Sequence, residues 1–584
     1  MAKVTCMPIN RTRRSITWLA LLLAALMPLG TLQAQQRQLL NYEEIHKPVV
    51  GSGGMVVSQN TLASQVGAKV LADGGNAVDA AVATAFALAV TLPRAGNIGG
   101  DGFMLLHLAE EGRSVAIDFR SMAPAAATLD AYIGADGAIT GQQQGYRAAG
   151  VPGTVAGLAL AHRKYGKLPW RRLVEPARKL AADGIVLTRD EAFALQWGKD
   201  RLARSQAGAR VFLHADGNAL RTGERLVQRD LAWSLGQIAR HGEDAFYRGE
   251  IARRLEAGMQ RHGGLLTRAD LAAYRAIERE PLRTRYRGVE VVAMPLASAG
   301  GVGVVQMLQM LESFDLAAMG SRSADALHVI AEVQKLAWRD RERYAGDPGF
   351  TTPPLAQWLS PDYARRRAAL VDPRQARAAD VVQPGELAPE SPQTTQFSVV
   401  DAQGNAVSTT YTLGSDFGSG VMIEGTGFLL GNLIGNFSLQ RQLRDRQQGQ
   451  ATTANGLQPG KRPVSSMSPT LLLRDGKPWL VTGSPGGNTI PGTVVQQIVD
   501  VVDFRLGLAE STSAPRIHQD LASGKLQYER ALSPDTLALL RARGHQLEVS
   551  ETIGSTQSIL LRDGLLEGAP DPRRPGAAAI ATGP

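Results

Sequence analysis

Cysteine is almost absent from this sequence. Only one of the 584 residues is a cysteine, Cys6, and it lies in a stretch that we expect to be removed as a signal peptide. A thiolate is the nucleophile of cysteine hydrolases and a common ligand of structural zinc. The predicted mature chain therefore has no thiol nucleophile, no cysteine metal site and no disulfide bond.

Several motifs of catalysis and binding are also missing. None of the nine histidines forms an H-x-H or H-E-x-x-H pattern, which argues against a metal site. No G-x-S-x-G elbow occurs, which argues against a serine hydrolase with a histidine base. The glycine cluster at residues 96–102 lacks the Lys-Ser/Thr pair of a phosphate loop, which argues against nucleotide binding. We therefore expect neither a metal nor a cofactor.

The charge pattern excludes a further class of partner. The formal net charge is +9, but no Lys/Arg run with interleaved aromatic residues occurs, so we expect no nucleic-acid partner. A hydrophobic fraction of 44% and a charged fraction of 20% are ordinary for a soluble globular protein. The length allows several layers of core and more than one domain's worth of chain.

The first 34 residues have the pattern of an export signal. Four basic residues precede an apolar block at residues 18–27, and small residues lead to Ala34. We predict a signal peptide at residues 1–34 and a periplasmic or secreted protein. The alternative is a retained membrane anchor, although the apolar block is short for a span of about 20 residues.

A hairpin is predicted near the middle of the chain. Two β-rich runs, residues 394–400 and 406–413, flank a turn of Asp, Gly and Asn residues at 401–405. In a regular antiparallel hairpin this symmetry places Thr412 opposite Thr394. Threonines are common in strands, which is the ordinary interpretation. The alternative is that Thr394 becomes a chain terminus, whose α-amine has a pKa of about 8 and can activate its own hydroxyl.

The segments before the hairpin alternate between helices and strands. Helices are predicted at residues 61–71 and 76–90, and strands at residues 103–107 and 114–120. Residues 150–380 are predicted to be largely helical, with strands near residues 286–294, and residues 372–393 to be an exposed linker. Arg120 ends a strand, and either a surface salt bridge or an anion-binding role fits it.

Three features follow the hairpin. Residues 425–432 are predicted to be a further strand, and the polar residues 440–460 a mobile loop, either a plain loop or a lid. Gly486 and Gly487 lie between a strand and a predicted helix at residues 493–506. Such a turn exposes backbone N–H groups that can stabilise an oxyanion, or it is simply a strand-to-helix turn.

Six ordered motifs together resemble one family. The chain from about residue 48 to its C-terminus is similar to the γ-glutamyltranspeptidases. The motifs are residues 74–81 (GGNAVDAA), 95–100 (AGNIGG), 149–157 (AGVPGTVAG), 394–395 with 398–401 (TT and SVVD), 462–470 (RPVSSMSPT) and 482–487 (TGSPGG).

The resemblance implies an α+β fold, the four-layer αββα sandwich of N-terminal nucleophile hydrolases. It implies cleavage between Gln393 and Thr394 into a large subunit, residues 35–393, and a small subunit, residues 394–584, that stay associated. Thr394 would be nucleophile and base, assisted by Thr412. The implied oxyanion donors are Gly486 and Gly487, and the implied ligands of the substrate α-carboxylate are Arg120, Ser465 and Ser466.

The reaction implied by the resemblance is acyl transfer through a threonyl acyl-enzyme. The implied donor is a γ-glutamyl amide such as glutathione, and the acceptor is water or an amino acid. An autoprocessed γ-glutamyl hydrolase or transpeptidase is therefore the primary hypothesis. The alternative from another functional class is a non-catalytic binding relative that keeps the fold.

Three positions depart from the family pattern. An Asn that follows the assisting threonine is replaced here by Gly414, and a polar residue and an acid that hold the substrate α-ammonium are replaced by Leu433 and Asn436. The only full negative charge of that subsite is thus gone, and charge-assisted hydrogen bonds are about twice as strong as neutral ones. A second hypothesis follows, an acylase that prefers acyl groups without an α-amine, such as glutaryl.

Overall fold

The computed structural model describes residues 45–377 and 394–583. The chain divides into two units, residues 1–45 and 46–584, and the fold below is that of the second unit. The predicted signal peptide and the bond between residues 393 and 394 lie outside the described residues. Within the described ranges, no helix is both long enough and apolar enough to cross a membrane.

The helices are concentrated in the first two thirds of the chain, as the sequence predicts. In chain order they are α1 (Thr61–Ala72), α2 (Ala77–Thr91), α3 (Thr154–Tyr165), α4 (Trp170–Asp183), α5 (Arg189–Leu202), α6 (Gln206–Phe212), α7 (Arg229–His241), α8 (Asp244–Tyr247), α9 (Glu250–His262), α10 (Arg268–Ala273), α11 (Ala299–Leu311), α12 (Leu316–Met319), α13 (Ala324–Tyr344), α14 (Leu355–Trp358), α15 (Pro361–Ala368), α16 (Leu439–Gln447), α17 (Ile490–Val502), α18 (Leu508–Ser513) and α19 (Pro534–Ala542).

The strands form two large sheets and two small ones. In chain order the strands are β1 (Val49–Gly51), β2 (Gly54–Ser58), β3 (Asp101–Leu108), β4 (Arg113–Phe119), β5 (Ile185–Val186), β6 (Arg225–Leu226), β7 (Ile277–Arg279), β8 (Leu282–Tyr286), β9 (Val289–Ala293), β10 (Thr395–Asp401), β11 (Ala406–Thr412), β12 (Thr470–Arg474), β13 (Lys477–Thr482), β14 (Ile517–Gln519), β15 (Leu526–Glu529), β16 (Leu547–Ser550), β17 (Gln557–Arg562), β18 (Leu565–Pro570) and β19 (Ala578–Thr582).

Each large sheet has seven strands. The first has the order β1-β18-β17-β13-β12-β9-β8 and the second has the order β19-β2-β10-β11-β3-β4-β7. All the strand pairs recorded in these two sheets are antiparallel. The small sheets are β14-β15-β16 and β5-β6.

The two large sheets pack face to face. In β3, Phe103 and Leu105 point into a core shared with the first sheet, whereas Met104 and Leu106 belong to a different core on the outer face. This alternation follows from the two-residue period of a strand. Both faces are apolar, so each sheet must be covered on its outer side as well.

Helices cover both outer faces. The outer core of the second sheet includes the alanine-rich helix α2, every residue of which is buried. The outer core of the first sheet includes residues of α11, α13 and α17. The order of layers is therefore helix, sheet, sheet, helix, which confirms the predicted α+β sandwich.

Two local predictions after the hairpin are wrong. Residues 425–432 form turns rather than a strand, because Gly425 and Gly427 adopt positive φ angles of 74° and 76° that break an extended run. The predicted mobile loop contains helix α16, whose Leu439 and Leu443 are buried in a small apolar cluster. These two leucines, four residues apart, hold α16 against the body of the protein.

A buried acid in α5 gives a pH-dependent prediction for stability. Glu191 is 2% exposed, and its Oε1 lies 3.2 Å from Arg94 Nη2. Burial raises its pKa to about 7, against the opposing attraction of Arg94. Between about pH 4.5 and 7, Glu191 is therefore protonated in the folded state but ionised in the unfolded state. The free energy of unfolding of the wild type falls as the pH rises through this range.

We expect Glu191→Gln to be more stable than wild type at pH 8 by up to about 3 kcal/mol. The difference should disappear below about pH 4.5, where the glutamate is protonated in both states. Urea unfolding across this pH range measures it. Asp200→Asn, at an exposed position of the same helix, is the matched control and should show no such rise. A pH-independent difference for Glu191→Gln would contradict the assignment.

Candidate active site

The hairpin of β10 and β11 brings the two predicted threonines together. Its register pairs Thr395 with Tyr411, which places Thr394 opposite Thr412 as predicted. The Thr394 hydroxyl donates to Thr412 Oγ1 over 3.4 Å, and the Gly414 N–H donates to the same Thr412 oxygen over 2.8 Å. Both threonines are buried, at 4% and 5% exposure. Thr412 therefore has a second donor that fixes its oxygen beside Thr394.

The glycine cluster at residues 96–102 explains how this end of the hairpin is packed. Thr412 pairs with Asp101 in the neighbouring strand β3. A Cβ on Gly100 would lie 2.1 Å from the Thr412 carbonyl oxygen. The cluster permits a close approach of two backbones, which only glycine allows. The glycine cluster therefore packs directly against the backbone of Thr412.

Arg120 is neither a surface residue nor part of a surface salt bridge, so that interpretation is wrong. Its side chain is 1% exposed, and its Nη1 donates to both carboxylate oxygens of Asp101 over 2.7 and 2.8 Å. Burial raises the pKa of Asp101, and the Arg120 charge and the Ser121 N–H oppose this rise. The pair forms where β3 begins and β4 ends, directly beside Thr412.

The other donors of Arg120 are also engaged. Its Nε donates to the Pro463 carbonyl oxygen, and its Nη2 donates to the Val464 carbonyl oxygen and to Asn436 Oδ1. With the two bonds to Asp101, all five N–H groups of the guanidinium have an acceptor. An incoming carboxylate must therefore replace one of these acceptors, and Asn436 is the only side chain among them besides Asp101.

The two other departures from the family pattern lie close to this pair. Gly414 has a φ of 95°, and a Cβ there would lie 2.1 Å from Asn432 Oδ1. Asn432 is fixed in that place, because its oxygen accepts from the Ser415 N–H and its amide donates to the Gln143 carbonyl oxygen. Leu433 is buried beside it and contributes an apolar surface. The backbone here thus accepts glycine and leaves no room for a larger residue at position 414.

The two predicted carboxylate-binding serines follow Arg120's carbonyl partners in the chain. The Met467 N–H donates to Ser465 Oγ over 3.1 Å. Ser466 accepts a hydrogen bond from Arg341 Nη1, and its own hydroxyl faces Asn488 Oδ1 at 3.5 Å. Arg120 thus contacts the backbone of residues 463 and 464, directly before Ser465 and Ser466.

The glycine pair adopts a backbone conformation that favours glycine at both positions. Gly486 and Gly487 have φ angles of 134° and 56°, and Gly487 begins a short turn that leads into α17. A Cβ on Gly486 would lie 2.3 Å from Thr489 Oγ1, so space and φ both require glycine. The preceding strand β13 meets the hairpin, since the Ser408 hydroxyl donates to the Thr482 carbonyl oxygen over 2.7 Å.

Four residues of the site were missed by the sequence reasoning: Asp101, Gln143, Asn432 and Arg341. Asp101 belongs to the glycine cluster that was considered only as a possible phosphate loop, and Asn432 to a segment predicted as a strand. Gln143 and Arg341 reach the site from far along the chain. The only signal in the sequence for Asp101 was its position just before the predicted strand at residues 103–107.

One histidine–carboxylate cluster lies apart from these residues. The ring nitrogens of His328 and His545 are 2.8 Å apart, and His328 Nε2 donates to the Asp372 carbonyl oxygen. The nearby carboxylate of Glu332 accepts from Lys335 over 2.7 Å. These polar atoms hydrogen-bond to one another, and the positive charge of Lys335 would repel a metal cation. We therefore assign no ion to this cluster.

Comparisons with known proteins identify the family. The family model described as gamma-glutamyltranspeptidase matches residues 63–581. The chain belongs to the γ-glutamyltranspeptidase family. A glutathione hydrolase proenzyme of Escherichia coli K12 is 45% identical over 535 residues, which cover 91% of this chain and 92% of the relative. An acylase ACY 1 proenzyme of Pseudomonas sp. SE83 is 38% identical over 92% of this chain and 95% of the relative.

Solved structures agree with this family assignment. The cephalosporin acylase of Bacillus halodurans superimposes with a TM-score of 0.82 at 30% identity, over 94% of this chain and 99% of that one. The γ-glutamyltranspeptidase of Helicobacter pylori gives a TM-score of 0.54 at 38% identity, over 56% of this chain and 94% of that one. The protein is thus an enzyme of the γ-glutamyltranspeptidase family, with the N-terminal nucleophile fold.

Proposed function

We propose that this transpeptidase-family chain is a precursor that cuts itself between Gln393 and Thr394. Residues 35–393 become the large subunit and residues 394–584 the small subunit, and the two stay associated. The observation that carries the proposal is the position of Thr394, at the start of a buried hairpin with the Thr412 hydroxyl beside it. The E. coli relative is named a proenzyme, which supports the same interpretation.

In the proposed reaction the freed α-amine of Thr394 accepts the proton of its own hydroxyl. The threonine oxygen attacks the carbonyl carbon of an acyl amide, and the N–H groups of Gly486 and Gly487 stabilise the oxyanion. The resulting α-ammonium returns the proton to the leaving amine as the amide bond breaks. Water or an amino acid then attacks the ester of Thr394 and releases the acyl group.

The primary substrate class is a γ-glutamyl amide such as glutathione. Arg120, Ser465 and Ser466 are proposed to bind the α-carboxylate, and the support is that Arg120 donates to the backbone directly before the two serines. Asn436 would move off the guanidinium when the carboxylate arrives, because its oxygen holds one of the two Nη2 hydrogens. The names of relatives from Escherichia coli and Pseudomonas aeruginosa support this substrate class.

A second candidate is an acylase for acyl groups that lack an α-amine. Its support is the neutral set Gly414, Leu433 and Asn436, in which the Asn436 oxygen already accepts from Arg120. An ammonium group would meet no carboxylate at these three positions. A glutaryl group keeps the carboxylate end and avoids that loss. The acylase relative from Pseudomonas sp. SE83 supports this candidate.

A donor panel on the purified protein tests both candidates. Denaturing electrophoresis and N-terminal sequencing should find two chains, one of which begins at Thr394. Initial rates with γ-glutamyl and glutaryl p-nitroanilide then rank the donors: a large γ-glutamyl preference supports the primary candidate, and comparable or faster glutaryl turnover supports the acylase. One uncut chain without turnover would overturn both and favour a non-catalytic binding relative.

We further propose that the mature protein is periplasmic or secreted, after removal of residues 1–34. The sequence pattern of the leader carries this proposal. Mass spectrometry of the mature N-terminus and fractionation of the cells test it. A large subunit that still begins at Met1 and stays with the membrane would show a retained anchor instead.

A further inference from the structure

Arg341 is a buried cation of the large-subunit part of the chain that reaches the proposed substrate site. It lies in the last turn of α13 and is 6% exposed. Its guanidinium carbon lies 4.3 Å from the ring centre of Trp338, one helical turn earlier, which is cation–π distance. Trp338 is itself buried, so the guanidinium is held in one orientation.

This guanidinium acts on Ser466. Arg341 Nη1 donates to Ser466 Oγ, and the Ser466 hydroxyl is directed towards Asn488 Oδ1 at 3.5 Å. Arginine has donors only, whereas a serine hydroxyl has one hydrogen and two lone pairs. Because Arg341 occupies a lone pair, the serine hydrogen must point to a different acceptor. The distance of 3.5 Å to Asn488 Oδ1 is long for an O–H···O hydrogen bond.

We propose that Arg341 is a positioning residue that directs the Ser466 hydroxyl hydrogen at the carboxylate of the acyl donor. The inference rests on the proposed function, in which Ser466 binds that carboxylate. The bond from a charged donor also polarises the serine hydroxyl and strengthens the hydrogen bond that it donates. Asn488, directly after Gly487, then loses its hydroxyl partner when substrate binds, which couples carboxylate binding to the oxyanion turn.

The test compares Arg341→Met with Arg343→Met. Methionine keeps an unbranched side chain but removes every donor, and Arg343 is an exposed arginine on the same helix. Two donor pairs serve: γ-glutamyl and 4-aminobutyryl p-nitroanilide, or glutaryl and butyryl p-nitroanilide if the wild type prefers glutaryl. Within each pair the donors differ only in the carboxylate.

Arg341→Met should raise KM for the donor that carries the carboxylate. The ratio of its kcat/KM to that of the donor without the carboxylate should fall by about tenfold to a hundredfold, the range expected for a hydrogen bond with a charged partner. Its kcat should fall much less than its KM rises. Arg341→Lys should recover part of the ratio, because a lysine also donates from a cation. Arg343→Met should keep the wild-type ratio.

A double-mutant cycle shows whether Arg341 acts through Ser466. In a Ser466→Ala background, Arg341→Met should change the ratio by less than about twofold. Equal loss on both donors of a pair, or full additivity with Ser466→Ala, would overturn the positioning role. A wild-type protein that turns over neither donor would instead overturn the proposed function. Processing and thermal unfolding of each variant show separately whether it folds.

Discussion

Replacing Thr394 with alanine should leave one uncut polypeptide that turns over neither γ-glutamyl nor glutaryl anilide. The change removes the proposed nucleophile of both self-cleavage and catalysis, while the hairpin partner Thr412 stays in place. Loss of a nucleophile that acts together with its base lowers kcat by roughly 10⁴-fold or more. Denaturing electrophoresis and initial rates measure the two effects on one preparation.

Thr394→Ser is the matched control for this prediction. Serine retains the hydroxyl and, after cleavage, the α-amine, so we expect slower processing and measurable turnover. Thermal unfolding should show that both variants are folded. The assignment of Thr394 fails if the alanine variant is still cut at residue 393 and still turns over a donor.

Replacing Asn436 with aspartate should shift donor preference towards γ-glutamyl. The change places a carboxylate at one of the three neutral positions Gly414, Leu433 and Asn436. A hydrogen bond between charged groups contributes about 1.5–3 kcal/mol, so the ratio of γ-glutamyl to glutaryl kcat/KM should rise by about tenfold to a hundredfold. Steady-state kinetics with the two p-nitroanilides give the ratio directly.

Asn436→Ala separates charge from the mere loss of the amide. It frees one Nη2 hydrogen of Arg120 but adds no negative charge, so the donor ratio should stay near the wild-type value. Carboxylate binding by both donors should improve to a similar degree. If the aspartate variant gives no greater γ-glutamyl preference than the alanine variant, position 436 does not face the substrate ammonium.

The hairpin was predictable because its information is local. A turn of Asp, Gly and Asn between two β-rich runs fixes the register, and the register alone places Thr412 opposite Thr394. The sandwich was foreseen only through the resemblance, and the structure adds the physical reason: both faces of β3 are apolar.

The environment of Arg120 was not predictable, because it depends on contacts between distant segments. Its hydrogen-bond partner Asn436 lies 316 residues further along the chain. The fixed amide of Asn432 depends on Gln143, which is 289 residues away. Local sequence propensity does not predict such contacts. The polar sequence of α16 similarly did not predict a helix, because the helix is stabilised by the packing of two buried leucines.

The order of strands in the second sheet has a consequence for the processed protein. Strand β2, before the proposed cut, lies between β10 and β19, which are the first and last strands after it. The two proposed subunits thus contribute alternating strands to one sheet. Separating them would break the backbone hydrogen bonds on both sides of β2. Dilution should not dissociate the folded heterodimer, and because its unfolded state is two separate chains, its melting temperature should rise with its concentration.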